Sequence, residues 1–407
     1  MRVKWIAGWC GVAFMSFMSV SGVTSAQTRG VDSVGAARVP ALKPPNFPLL
    51  FPIPTNNNGY EEWVAAGDLV QNNPALADSS ADQESTLAMK RRLLADPTVE
   101  RALHLVRLGL QKPVFSPRRR VDVNTTFSEL TSFLPLARLL CVEQYVAFAD
   151  GRVDKAIETL RTGLTFGYRI QTDSMRSGSI GILTDTLLLT QFSQHLDQLS
   201  VYHCEEVRRI VEDFLGAENP TVHLMELQKS VLLQTLESKR SDPRGFLADL
   251  KTMIGDNADA SGDGVASLYA YLQSHPGSVN AVLDDAQRRI NALFDQTLLN
   301  LRLPVGLRKP LVMGENKAPG AALFQAITFD PQRILDRDTR SLAELRLLGV
   351  HVLIHHYRWD HNTLPNSLAE LRADSLVKDT FTGNQIVYTR EGDRYTLTTL
   401  GAPEAPP

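Results

Sequence analysis

The sequence predicts a mainly α-helical protein: an antiparallel bundle of helical hairpins with a small C-terminal unit of one helix and one β-hairpin. Three observations carry that expectation. Apolar residues recur at three- and four-residue spacing through most of residues 59–300. The breaks between these runs are short and hold turn chemistry: "ADPT", "KPVFSP", "ADGR", "ENPT", "SDPRG" and "SHPG". No strand-rich stretch interrupts them, and the one β-rich text, "NQIVYTREGDRYTLTTL" around "REGDR", lies near the C-terminal end.

Residues 1–26 read as a secretory signal peptide. Arg2 and Lys4 supply a positive start, "WIAGWCGVAFMSFMSV" an uncharged core, and "VTSAQ" small residues before a cut near Ala26. No later segment has the roughly 18 uninterrupted apolar residues that a membrane span needs. The expectation is therefore an exported, soluble product, periplasmic or extracellular. Cleavage removes Arg2, Lys4 and Cys10, so the net charge moves from −3 to −5 and Cys141 and Cys204 remain. This near-balance gives no electrostatic basis for nucleic acid as a partner. The run Arg118, Arg119, Arg120 reads as a solvated loop. Cys141, inside "LARLLCVEQYVAF", reads as a small core residue, and pairing with Cys204 is a question of geometry that spacing leaves open.

Residues 27–58 form a proline-rich extended arm. Six prolines between 40 and 54 remove amide donors and oppose helix, while Phe47, Leu49, Leu50, Phe51 and Ile53 are too apolar for a solvated linker. The arm is expected to lie along the surface of the α-helical domain, 59–300. That domain opens with "YEEWVAAGDLVQN", Asn58 serving as cap and acids filling the first turn. Further helices are expected near 81–95, 98–111, 126–150, 153–170, 176–198, 203–216, 221–240 and 278–299. Residues 301–336 lose the periodicity and gain Pro and Gly, which predicts an irregular connecting segment before the C-terminal helix and β-hairpin unit, 337–407.

Two stretches carry resemblances. "LLCVEQYVAFADGRVDKAIETLRTGLTFG" resembles one tetratricopeptide-type hairpin, with Gly151 in the turn and Ala156, Ile157, Leu160, Gly163 and Leu164 where paired helices approach. No copy follows 34 residues away, and a lone unit builds no solenoid, so it implies an ordinary hairpin with a hint of protein binding. "YRWDHNTLPNSLAEL" and "VKDTFTGNQIVYTREGDRYTLTTLG" resemble the C-terminal part of major pseudopilins of type II secretion. The matching positions are Tyr357, Asp360, Pro365, Ser367, Leu368, Leu371, Asp379, Gly383, Asn384, Tyr388, Tyr395, Leu397 and Gly401. A prepilin leader and the aspartate-rich calcium loop of that family are missing, so filament assembly and calcium binding are not carried over. The whole-chain pattern is similar to that of exported helical proteins of environmental bacteria, which have no assigned activity.

The chemistry-bearing text is "HVLIHHYRWDHN", with His351, His355, His356 and His361. At 100° per residue, Leu345, Leu348, Gly349, Val352, His356 and Trp359 share one arc, so His356 is expected to point into the core. His351 and His355 fall on the other side, between Arg340 and Arg358, and are expected on a basic solvent face, with His361 in the turn beyond the helix. Four-residue spacing would let His351 and His355 share a metal. However, Val352 stands where a metalloprotease helix has Glu, and Glu344 is two turns away, roughly 10 Å along the axis.

"DNADASGDG" offers Asp259, Ser261, Asp263 and Gly264 in calcium-loop order, but its twelfth position is Ala270 rather than Glu, so a surface loop is expected. "SLVK" at 375–378 lacks the partner motifs of the serine enzymes that share it. No phosphate-binding loop, dinucleotide glycine pattern or nucleophile elbow occurs. The sequence thus assigns no catalytic, cofactor-binding or metal residue. The leading expectation is a non-catalytic exported protein acting through protein–protein binding, to envelope proteins or its own copies. The alternatives are a hydrolase with a cleft between the helical body and the C-terminal unit, and an accessory of a type II secretion or pilus-like system.

Overall fold

The structure, a computed structural model, describes residues 57–71, 86–115, 127–171, 174–256, 262–311 and 318–399. The expected signal peptide, nearly all of the proline-rich arm, the triple arginine and Asp259 and Ser261 lie outside the described residues. The described residues fall in one compact unit, Phe51–Ala402.

Helix α1 (Gly59–Gln71) starts where the cap was expected. Asn58 Oδ1 accepts the amides of Tyr60 and Phe115, both at 3.1 Å, and Glu61 and Glu62 occupy the first turn. Helix α2 (Leu87–Leu94) leads to α3 (Pro97–Leu110), which Asp96 caps through the amides of Thr98 and Val99. Gly59 and Gly109 let α1 and α3 touch backbone to backbone, since a Cβ on either would collide with the other strand of chain. Trp63 Nε1 then donates to the Val106 carbonyl at 3.2 Å, and Tyr60, Trp63, Phe133 and Phe166 close an aromatic core with edge-to-face contacts.

Helices α4 (Leu130–Ala149) and α5 (Val153–Ile170) meet at Gly151, whose φ of +70° closes the turn as the Arg152 amide reaches the Ala147 carbonyl at 2.8 Å. Ala156, Ile157, Leu160 and Leu164 are buried, and Gly163 makes room for Leu188 of α6 (Met175–Ser193). Helix α4 is long and apolar enough to cross a membrane, but more than half of its most apolar stretch is buried within the fold. Helices α7 (Val201–Gly216) and α8 (Pro220–Ser241) begin at Ser200 and Asn219, both with side-chain caps.

A second core lies downstream. Helices α9 (Pro243–Asp256), α10 (Gly262–Ser274), α11 (Val279–Leu301) and α12 (Pro319–Ile327) pack Phe246, Leu268, Leu283, Phe294 and Phe324 against Leu224 and Leu232 of α8. Here the expectation of an irregular segment over 301–336 is corrected. It contains α12 and a 3-10 turn at Val305–Leu307, and α13 (Gln332–His361) begins inside it. Pro319 stands in the first turn of α12, where the missing N–H costs nothing, so it opens that helix rather than breaking one.

Helix α13 ends at Asn362, a left-handed residue with φ +52°, and the C-terminal hairpin follows. Strands β1 (Val387–Glu391) and β2 (Arg394–Thr398) pair antiparallel with Glu391 opposite Arg394, and Gly392 at φ +62° makes the two-residue turn. The pair is tied down by side chains. Arg390 donates to the Leu364 carbonyl at 2.7 Å, and Tyr388 donates to the Pro365 carbonyl at 2.7 Å.

Candidate functional site

Helix α13 is the hub on which α6, α7 and the hairpin converge, and its two sides differ in character. The side expected to be a basic solvent face is buried instead. His351 is 7% exposed, and Tyr395 of β2 lies over it, with the phenol oxygen 2.9 Å from Nδ1. Burial drives the His351 pKa down to about 3, with His355 pushing the same way, so the ring stays neutral. His355 is also lowered, by burial and then by Arg358, against the pull of Asp197. The error has a clear cause: a one-sided apolar stripe marks a surface helix. Ala343, Leu345, Leu348, Val350, Val352 and Ile354 are buried almost all round α13.

The opposite assignment is corrected too. His356, expected inside, is half exposed and pairs with Asp360 at 3.5 Å, while Trp359 is 60% exposed. The Trp359 indole N–H reaches the Leu199 carbonyl at 3.3 Å, so it lies beside the start of α7, where Val201 and Tyr202 are exposed. His361 is the last residue of α13, stacked on Tyr357 at 4.0 Å, rather than part of the following turn.

Beside His356 is an open cleft of about 620 Å³ between α7, α13 and the turn after Leu371. Glu205, Arg208, Glu212, His356, Arg372 and Asp374 supply its polar wall. Arg208 bridges Glu205 at 2.7 Å and Glu212 at 2.6 Å. The Arg208 hydrogen bond holds Glu205 down to about 2. An acid so firmly ionised and paired is a poor proton donor or acceptor near neutrality. Ser375 of the "SLVK" motif sits on the same rim, whereas Lys378 is bridged to Gln385, away in the next loop.

Ser200, His203 and Asp154 are the residue types of a hydrolytic triad. Their wiring is that of a helix cap: His203 Nδ1 accepts the Ser200 amide at 3.2 Å, and Ser200 Oγ accepts the His203 amide at 3.3 Å. Asp154 holds Nε2 at 3.1 Å, which leaves no ring nitrogen directed at the hydroxyl. Cys204 is a buried thiol, so it is not bridged to Cys141, and burial pushes it up to about 12, opposite to a nucleophile's requirement. Gly264 and Ala270 of the calcium-loop match lie within α10, which removes the loop geometry that such a site requires. Among the described residues no group of three or more His, Cys, Asp or Glu is placed to hold a metal ion.

The sequence reading missed the groups whose charge state is most altered. Glu344 on α13 is raised to about 7 by burial, against the pull of Arg340, and its Oε2 has no hydrogen-bond partner. Tyr395 was legible in principle, because strand alternation puts it with Leu397 on the less exposed face of β2. Comparison with protein-family models, with curated proteins and with solved structures found no match.

Proposed function

We propose that this chain is an exported, non-catalytic helical protein that works by binding other proteins, and that it does so through the face formed by Tyr202, Val201 and Trp359. The observation that carries the reading is the pair of large exposed aromatics, Tyr202 at 69% and Trp359 at 60%, on neighbouring segments. Aromatic side chains of this kind supply most of the anchors at protein interfaces. Export is supported by Arg2, Lys4 and the uncharged run to Ala26. A non-catalytic role is supported by the wiring of Ser200, His203 and Asp154 as a cap and by the inert Cys204. The pseudopilin-like text from Tyr357 to Gly401 makes an envelope or secretion-system component the first partner to look for.

Crosslinking of the exported protein, followed by mass spectrometry, tests this. Capture of a protein partner or a second copy should fall at least tenfold in a Tyr202→Ala/Trp359→Ala variant of unchanged Tm. Absence of any captured protein, with a purified chain that stays monomeric and binds none, overturns it.

A further inference from the structure

Helices α5 and α6 cross through glycine. A Cβ on Gly167 would collide with Asp185 Oδ1 and the Gly181 carbonyl, and a Cβ on Gly181 would collide with Gln171 Cγ and the Gly167 carbonyl. The two helices therefore meet backbone to backbone, with Asp185 of α6 and Gln171 at the end of α5 packed into the crossing. Gln171 is 3% exposed. Its Nε2 donates to Asp185 Oδ2 at 3.4 Å. The two atoms left over, Asp185 Oδ1 and Gln171 Oε1, are both buried, both acceptors, and both without a partner.

Two orphaned acceptors on one hydrogen-bonded pair lack a single hydrogen. Placed on Oδ1, it donates to Oε1 and completes a ring of two hydrogen bonds, satisfying every polar atom of the acid and all but one amide hydrogen. We infer that Asp185 and Gln171 form a cyclic acid–amide pair carrying a proton on Asp185 Oδ1, and that this pair is a proton-controlled clasp on the α5–α6 crossing.

The surroundings support the protonated form. Asp338 of α13 acts on Asp185 as a like charge, and it is itself held by Asn219 Nδ2 at 2.9 Å and Thr221 Oγ1 at 2.8 Å at the start of α8. Arg308, after α11, lies near Asp338 and donates to Thr339 at 2.8 Å. α5 contributes the neutral amide of Gln171 to the pair. Burial and Asp338 together push Asp185 well above the ordinary carboxylate range. Loss of the proton leaves two buried acceptors without a donor, near a second carboxylate.

A carboxyl whose folded pKa is raised stabilises the fold below its ordinary pKa, and that contribution is lost as pH rises through the raised value. The test is infrared spectroscopy of the carboxylic-acid C=O band together with Tm, from about pH 5 to about pH 9. Glu344 and Asp338 are raised by burial as well and add to the protonated-acid band at low pH, so the Asp185 share is read by difference. The wild-type band should exceed that of Asp185→Asn by one carboxyl, and that excess should fade as pH rises. The wild-type Tm should fall by a few degrees more across that range than the variant's, since the Asn side chain pairs with Gln171 without a titrating proton. Should Asp185→Asn fail to fold, Gln171→Glu is the second variant. Its two carboxyls share the site, so Tm should fall more steeply with pH than in the wild type. An unchanged acid band in Asp185→Asn, equal pH slopes, or a monovalent cation found in stoichiometric amount and lost with Asp185 would each overturn the inference.

Discussion

His351 and His356 stand five residues apart on α13, one sealed beneath Tyr395 and the other open to the cleft beside α7. The first is neutral because its surroundings exclude water, and its hydrogen bond with Tyr395 couples the helix to the hairpin. The second meets Asp360 in solvent, where an ion pair is worth at most about 1 kcal/mol. Side-chain chemistry is identical, so the difference lies wholly in what covers each side of the helix. The hairpin therefore covers His351 through Tyr395, α6 and α7 cover much of the rest of α13, and the cleft is a part of the hub left open.

The sharpest way to break that contrast is to remove the cover. Tyr395→Ala deletes a ring packed on His351 and leaves Nδ1 without its phenol, and it should cost about 2–4 kcal/mol. Tyr395→Phe keeps the ring and removes the hydroxyl, so it should cost about 1–2 kcal/mol. Urea unfolding read by tryptophan fluorescence measures both. Near-wild-type stability in Tyr395→Ala would mean that the hairpin does not seal His351.

Acid supplies a smaller effect on the same side. The folded pKa of His351 is depressed to about 3, against an ordinary value of 6.5, so the unfolded chain takes up the proton first as pH falls. Its contribution is complete above about pH 6.5 and is lost progressively toward pH 3, a change of a few kcal/mol at most. Glu344 runs the other way: raised to about 7, it stabilises at low pH and loses that contribution between about 4.5 and 7. The two slopes oppose each other between about 4.5 and 6.5, so the His351 contribution is read by difference. The stability of His351→Gln should fall about 1–2 kcal/mol less than the wild type's between pH 7 and pH 5. Parallel profiles would show that the ring is solvated.

Local chemistry was the most legible part of this fold. Asn58, Asp96, Gly151, Ser200 and Asn219 each cap a helix or close a turn within a few residues of their own positions, whatever else they bond, and the helix ends they set agree with the spacing read from sequence. Residues 242–277 and 301–336 were harder, because Pro243, Pro276 and Pro319 open helices or 3-10 turns in the first turn, where the same residue type elsewhere ends them. The hub could not be read from periodicity at all. Rotational position identifies which residues share a face, but whether that face is covered depends on Tyr395 and the 196–198 turn, 40 to 160 residues away in sequence. The same holds for Asp185, whose surroundings come from Gly167, Gln171 and Asp338 on two other helices.

The open side should be nearly silent. His356→Ala removes a half-exposed ring and one long contact to Asp360, which predicts a change within about 0.5 kcal/mol. The same substitution also clears one wall of the cleft without touching Arg208, Glu205 or Glu212, whose pairing is independent of it. Chemical denaturation at neutral pH, repeated in high salt, decides the point. A loss above about 1 kcal/mol that salt does not erase would mean that His356 is packed rather than solvated. The division of α13 into a covered and an uncovered side would then have to be redrawn one turn further toward its C-terminal end.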